Sequence, residues 1–237
     1  MEWRDEGLVL SVRRHGESNL VLSLLTREHG RHAGLVRGGG GRRGASIYEI
    51  GNRLSAVWRG RLPEHLGSFA CEVQAQNAAR LLDEPLRLAA LTAAAAVAEA
   101  ALPEREPHPR TFEGLSALVA ELLAEREATQ WAARYVRWEV DLLSELGFGL
   151  DLGRCAVSGA TKDLAYVSPA SGRAVSEDAA GAWRDRLLPL PAFLVGGEAD
   201  MPAIRQGLAL TGLFLERHAL APLPAARARL LSRLQRA

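Results

Sequence analysis

Between Asp5 and Val73 apolar and polar positions alternate with a period of two. Leu8, Leu10 and Val12 alternate with Val9, Ser11 and Arg13, and Leu20, Leu22 and Leu24 with Val21, Ser23 and Leu25, which predicts two strands. Gly16-Glu17-Ser18-Asn19 separates them as a turn, and Glu28-His29-Gly30-Arg31 supplies a second turn before a third strand at Ala33-Gly34-Leu35-Val36. That strand ends in Arg37-Gly38-Gly39-Gly40-Gly41-Arg42-Arg43. Leu54, Ala56 and Trp58 then share one face against Ser55 and Arg59, and Phe69, Cys71 and Val73 repeat the pattern after the break Arg61-Leu62-Pro63-Glu64. Five short strands of this kind suit a partly open barrel of the OB type, whose strand face and loops bind oligonucleotides. An SH3-like barrel fits nearly as well on pattern alone.

From Gln74 the period changes. Ala75 to Leu82 reads as a short helical bridge, and Pro85 opens an alanine-rich helix running from Leu86 to Leu102. Pro103, Pro107 and Pro109 make the next stretch a loop. Helices follow at Thr111 to Leu123 and Thr129 to Leu146; the second sets Trp131, Tyr135, Trp138, Leu142 and Leu146 on one apolar stripe, which reads as core, and ends at Gly147. Residues 147–173 read as a small β-ribbon with a strand at Leu164-Ala165-Tyr166-Val167 and a turn at Ser168-Pro169-Ala170-Ser171-Gly172. Ser176 with Glu177 and Asp178 predicts a capped helix carrying Trp183 and Leu187, and Asp200 caps another through Ile204, Leu208, Thr211 and Leu215. Pro224 to Arg236 is a basic amphipathic helix, with Leu230, Leu231 and Leu234 set among Arg227, Arg229, Arg233 and Arg236. The expected fold is α+β: an N-terminal five-stranded OB-type β-barrel over 1–80, then an α-helical domain over 81–237 with an inserted lobe at 148–175.

A net charge of +1 over 237 residues decides nothing, but its distribution does: +4 over residues 1–80, −6 over 81–150 and +3 over 151–237. Ten arginines stand against three glutamates between Arg13 and Arg61, as a phosphate-tracking surface requires. Lys162 is the single lysine, so arginine richness by itself also fits genome composition. No apolar run approaches a membrane span and no apolar signal core follows Met1, so a cytoplasmic location is expected. Cys71 and Cys155 make no disulfide framework, and Cys71 reads as a small buried thiol.

The Gly38 to Gly41 run lacks the Gly-Lys-Ser/Thr of a nucleotide-hydrolysis loop. Between arginines it reads as a mobile cationic loop that meets a nucleic-acid backbone, or else as a merely solvated one. His29 and His32 beside Glu28 lack a four-ligand metal set and read as surface residues. Asp5, His15 and Ser18 form no nucleophile signature and no carboxylate pair stands out, so neither an enzyme nor a cofactor is expected. Candidate phosphate contacts to a nucleic acid are Arg13, Arg14, Arg27, Arg31, Arg37, Arg42, Arg43, Arg59 and Arg61, with Tyr48 to stack on bases; Trp58 and Phe69 read as core.

Several segments carry a family resemblance: Gly7-Leu8-Val9-Leu10, His15-Gly16-Glu17-Ser18, Leu24-Leu25-Thr26-Arg27-Glu28-His29-Gly30, Leu35-Val36-Arg37-Gly38 and Leu66-Gly67-Ser68-Phe69. Together with Leu146-Gly147-Phe148 and Tyr166-Val167-Ser168-Pro169, they make the chain resemble, nearly end to end, the RecO family of bacterial recombination mediators. The resemblance implies an OB-fold joined to a helical domain that binds single- and double-stranded DNA without sequence preference and anneals complementary strands. It further implies help in loading RecA on DNA coated by single-strand-binding protein, in the RecFOR pathway of DNA repair and recombination, at the nucleoid and away from membranes. RecR, RecF, RecA and the tail of single-strand-binding protein are the implied partners. That tail is expected on Arg227, Arg229 and Arg233, whose alternative reading is a solvated helix face. Many relatives carry a four-cysteine zinc ribbon, whereas here Cys155 stands alone with Ser158 at the second position. One thiolate cannot hold a tetrahedral zinc, so a metal-free, degenerate lobe packed around Ala156, Leu164 and Val167 is expected. The rival readings are a protein-interaction adaptor with incidental DNA contact and an RNA-binding protein of the translation apparatus.

Overall fold

One strand longer than its neighbours lets the N-terminal sheet close on itself. The computed structural model describes residues 1–62, 64–124 and 126–236; Pro63 of the predicted break, and the side chains of Arg42, Arg43 and Ala45, lie outside the described residues. Strand β1 (Glu2–His15) has fourteen residues. Its first half pairs antiparallel with β4 (Arg53–Arg59), from Glu2 opposite Arg59 to Leu8 opposite Arg53. Its second half pairs with β2 (Asn19–Thr26), from Gly7 opposite Thr26 to His15 opposite Asn19. β3 (Gly30–Val36) extends the sheet from β2, β5 (Ser68–Ala75) extends it from β4, and a parallel bridge between Leu35 and Ser68 completes the closed order β1-β2-β3-β5-β4. This order is that of an OB-type barrel, one of the two architectures that the alternation allows.

The register corrects one detail. Simple alternation puts Leu8, Leu10 and Val12 on one face, but the β1–β2 pairing slips between Val9 and Ser11, leaving Leu10 as an extra residue. The bulge reverses the parity. Val9 enters the barrel core with Leu20, Leu22, Leu24, Val36, Leu54, Ala56, Trp58 and Phe69, and Val12 packs against the same cluster. The glycine run has defined partners. Gly40 donates its N–H to Ser18 O (2.8 Å) and Gly38 donates to Asn19 Oδ1 (3.1 Å), so the segment is a turn tied to the β1–β2 hairpin. It leads straight into the short helix α1 (Arg42–Ile47).

A 3₁₀ turn at Ala79–Leu81 takes the place of the predicted bridge, and α2 (Pro85–Ala101) begins on proline as expected; α3 (Pro109–Leu123) begins on Pro109, which the sequence reading placed in the preceding loop, because a first-turn proline has no N–H to lose. Alanines 90, 93, 94, 95 and 98 are buried on α2, which also packs against β1 and β2. Ser11 Oγ (3.1 Å) and Ser23 Oγ (2.5 Å) both donate to Glu99 on that helix. The change of period at Gln74 therefore does not mark the limit of compactness: the first compact unit is Met1–Glu125 with Pro224–Leu230.

The second unit comprises Arg126–Leu223 and Leu231–Ala237. In it α4 (Ala128–Glu145) packs on α6 (Met201–His218), burying Trp131, Tyr135, Trp138 and Leu142 as the stripe predicts. Buried Glu139 accepts a hydrogen bond from Thr211 Oγ1 (2.5 Å), and Asp200 caps α6 by accepting from the Ala203 N–H (2.7 Å). Between them β6 (Leu164–Val167), β7 (Ala174–Ser176) and β8 (Leu188–Pro189) form a three-stranded sheet. The helix predicted through Trp183 stops after one turn as α5 (Glu177–Ala180), because Gly181 takes φ +46 and the chain continues as 3₁₀ turns. α7 (Ala225–Leu234) is the last helix. No helix among the described residues is long and apolar enough to cross a membrane.

Ser176 does not cap α5; its hydroxyl (3.4 Å) and N–H (3.3 Å) both turn to the sulfur of Cys155, as does the N–H of Ser158 (3.4 Å). The sulfur is buried against Val175, Ala180 and Leu164. Hydrogen-bond donors surround it where a zinc site needs further ligands, so these residues do not fit the metal. Burial pushes the Cys155 thiol up, but the Ser158 and Ser176 donors outweigh it and bring it down to about 6. His32, expected at the surface, is 4% exposed and packs edge-on to Trp3, Trp58 and Phe69 at centroid distances of 5.0, 5.0 and 6.1 Å. Burial, then Arg105 and His29, push its imidazole down to about 4.

Two titrations follow from these groups. The unfolded chain protonates His32 first, so stability is expected to fall as pH drops from about 6.5 towards 4, by up to roughly 3 kcal/mol, with His32→Phe removing that component in urea melts. Cys155 has its folded value below the ordinary 9.0, so its contribution is complete above pH 9 and lost as pH falls through about 6. Thiolate ultraviolet absorbance with a midpoint near 6, absent from Cys155→Ala, is the expected signature.

Candidate nucleic-acid interface

Barrel closure brings the end of β3, the end of β4 and the start of β5 together. Arg37 leaves β3 there, Tyr48 follows α1, and Arg59 ends β4. These three line a groove of about 330 Å³ whose remaining walls are Val36, Val57, Ser68, Phe69, Ala70 and Cys71. Burial, then the neighbouring Cys71, push the Tyr48 phenol up, so its hydroxyl stays a donor. Burial also pushes the Cys71 thiol up to about 12 and keeps it neutral. The groove thus has two guanidinium groups at its rim, an aromatic ring in its wall and no anionic residue in its lining.

Arg59 is not idle: it grips Glu2 through Nε (2.9 Å) and a terminal nitrogen (3.2 Å). Both side chains are more than half exposed, at 63% and 56%, and such a pair contributes little, so a phosphate can compete for the guanidinium. Beside the groove, the ties from Ser18 and Asn19 to the glycine turn set the β1–β2 hairpin against Arg37. Arg13 and Arg14 project, exposed, from that hairpin, and Arg61 is exposed beyond β4. Arg42 and Arg43 open α1 next to the same turn, but their side chains lie outside the described residues.

Other candidates are placed elsewhere. Arg27 bonds Glu6 (3.0 Å) and Glu113 (3.2 Å) and lies 5.1 Å over the Phe112 ring, while Arg31 donates to Leu102 O (2.7 Å) and pairs with Glu104 (3.4 Å). These two clamp the helices to the barrel and are not brought to the groove. On α7, Arg227 is 3% exposed and is no rim for a partner, whereas Arg229 and Arg233 are exposed. Trp58 and Phe69 are core, as expected, with Trp58 Nε1–H donating to Leu66 O (3.0 Å). The sequence reading missed Val57, Ser68 and Ala70 as groove residues. Their alternation with buried Ala56, Trp58 and Phe69 was the available signal.

Two family models match the chain: Recombination protein O N terminal over residues 1–74, and Recombination protein O C terminal over residues 82–227. The chain is 53% identical to the DNA repair protein RecO of Rhodospirillum centenum, covering 100% of this chain and 96% of that one. It is 51% identical to that of Cereibacter sphaeroides over the whole of both chains, and 50% identical to that of Rhodospirillum rubrum, covering 100% and 97%. With an OB-type barrel at its N-terminal end and both family models matched, the chain belongs to the RecO family of recombinational DNA repair proteins.

Proposed function

We propose that the chain is a recombination mediator that binds single- and double-stranded DNA without sequence preference through the barrel. In this reading Arg13, Arg14, Arg37 and Arg59, with Arg42, Arg43 and Arg61, hold phosphates, and Tyr48 stacks on a base. The observation that carries it is the convergence of Arg37, Tyr48 and Arg59 on one groove beside the arginine-bearing hairpin. Annealing of complementary strands needs no catalytic group: a cationic surface that screens the repulsion between two strands lowers the barrier to their pairing. Relief of single-strand-binding protein for RecA, with RecR and RecF as partners, completes the role. The exposed Arg229 and Arg233 are the proposed electrostatic contact for that protein's acidic tail.

Fluorescence anisotropy of a labelled oligo-deoxythymidine across a salt series tests the DNA reading. Engagement of about five phosphates predicts a log–log slope near −3.5, and Arg13/Arg37/Arg59→Ala is expected to flatten it by about 2. Salt-insensitive binding, or an unchanged slope in the variant, would refute it; absence of binding at low salt would favour the adaptor, and preference for ribose strands the RNA reading. Arg229→Glu with Arg233→Glu is expected to weaken binding of an acidic tail peptide, and unchanged affinity removes that contact.

A further inference from the structure

The groove has a neighbour. A cavity of about 480 Å³ is lined by Trp3, His29, Trp58 and Pro107, and also by His32 and Arg105. Glu2 lines this cavity and Arg59 lines the groove, so the Glu2–Arg59 ion pair joins the two walls. Trp3 stacks on His29 at 4.1 Å, so the lining is largely aromatic.

Three buried nitrogen atoms here have no hydrogen-bond partner: Nδ1 and Nε2 of His32 and Nε of Arg105. Buried polar groups are ordinarily paired, and the two side chains that carry these three nitrogens both line the cavity, where a ligand that draws them outward would supply the missing partners. The backbone points the same way. Arg105 holds φ +64, which is unfavourable for a non-glycine residue and persists where surroundings impose it. Its N–H donates to Arg31 O (2.8 Å) and its guanidinium to His65 O (3.0 Å), fixing the side chain in place.

The chemistry of the cavity selects the occupant. A neutral imidazole offers one donor and one acceptor, and Arg105 Nε–H adds a donor; a nucleobase edge carries the complementary mixture of N–H groups and carbonyl or ring-nitrogen acceptors. The aromatic lining and Pro107 suit a flat ring. Glu2 and Glu28 also line the cavity and disfavour a phosphate there. The phosphates stay outside, on Arg37 and Arg59. We propose that this cavity receives one unstacked nucleobase from the strand held in the groove, with His32 and Arg105 bonding to its edge. The assignment rests on the proposed DNA-binding role.

The test compares labelled oligo-deoxythymidine with an equally long abasic deoxyribose-phosphate strand, by anisotropy over a salt series. Wild type is expected to prefer the base-bearing strand. His32→Phe, which keeps an aromatic ring in place, and Arg105→Gln, on a loop, are each expected to lower oligo-deoxythymidine affinity about tenfold, with abasic affinity and salt slope unchanged. Variants that bind oligo-deoxythymidine like wild type, or that lose both strands equally, overturn the assignment while leaving the groove intact. Failure of wild type to bind either strand at low salt overturns the DNA-binding role and the base cavity together.

Discussion

The double pairing of β1 is the constraint on which the rest depends. One strand must be long enough to meet β4 with its first half and β2 with its second, and the bulge at Leu10 must reverse its parity on the way. Only then do Val9 and Val12 both reach the core while the sheet closes through Leu35 and Ser68. Closure in turn brings together the ends of β3 and β4 and the start of β5, and so builds the groove. Trp58 fills this end of the barrel, and the fit is close: a Cβ at Gly60 or Gly67 would overlap its indole, and Gly67 sits at φ +61. A side chain at either position would displace the ring that lines the cavity beside the groove.

Charge is partitioned within the first unit. The arginine-rich barrel and the acidic stretch that follows it look, as sums, like a cationic surface beside an anionic one. In the structure part of each cancels the other. Glu104 and Glu113 are taken up by Arg31 and Arg27, and Glu99 accepts from Ser11 and Ser23 as well as standing 3.8 Å from Arg31. What separates a clamp from a candidate phosphate contact is the partner: Arg27 and Arg31 hold helices, while Arg13, Arg14 and Arg37 project from the other end of the β2–β3 hairpin and its neighbours.

The legibility of the fold follows the same division. The five strands, the helix opened by Pro85 and the Trp131 stripe were readable because period and proline chemistry are local. The bulge, the tie from the glycine turn to the β1–β2 hairpin and the early stop of α5 at Gly181 were not, because each depends on a register, a distant acceptor or a backbone angle. The candidate interface was readable as a composition but not as a set. Arg37, Tyr48 and Arg59 could be named singly, yet nothing in the spacing says that they meet while Arg27 and Arg31 do not. His32 shows the limit most clearly: a histidine in a turn-rich arginine stretch reads as surface, and only the closed barrel places it among Trp3, Trp58 and Phe69.

The central claim is that DNA lies on one rim of the barrel, and hydrogen–deuterium exchange with and without a saturating oligo-deoxythymidine tests it most directly. The account predicts slowed exchange in three stretches that are distant in sequence: the β1–β2 hairpin tip, residues 37–48, and residues 59–71. Protection confined to residues 126–223, with those three stretches unchanged, would contradict it.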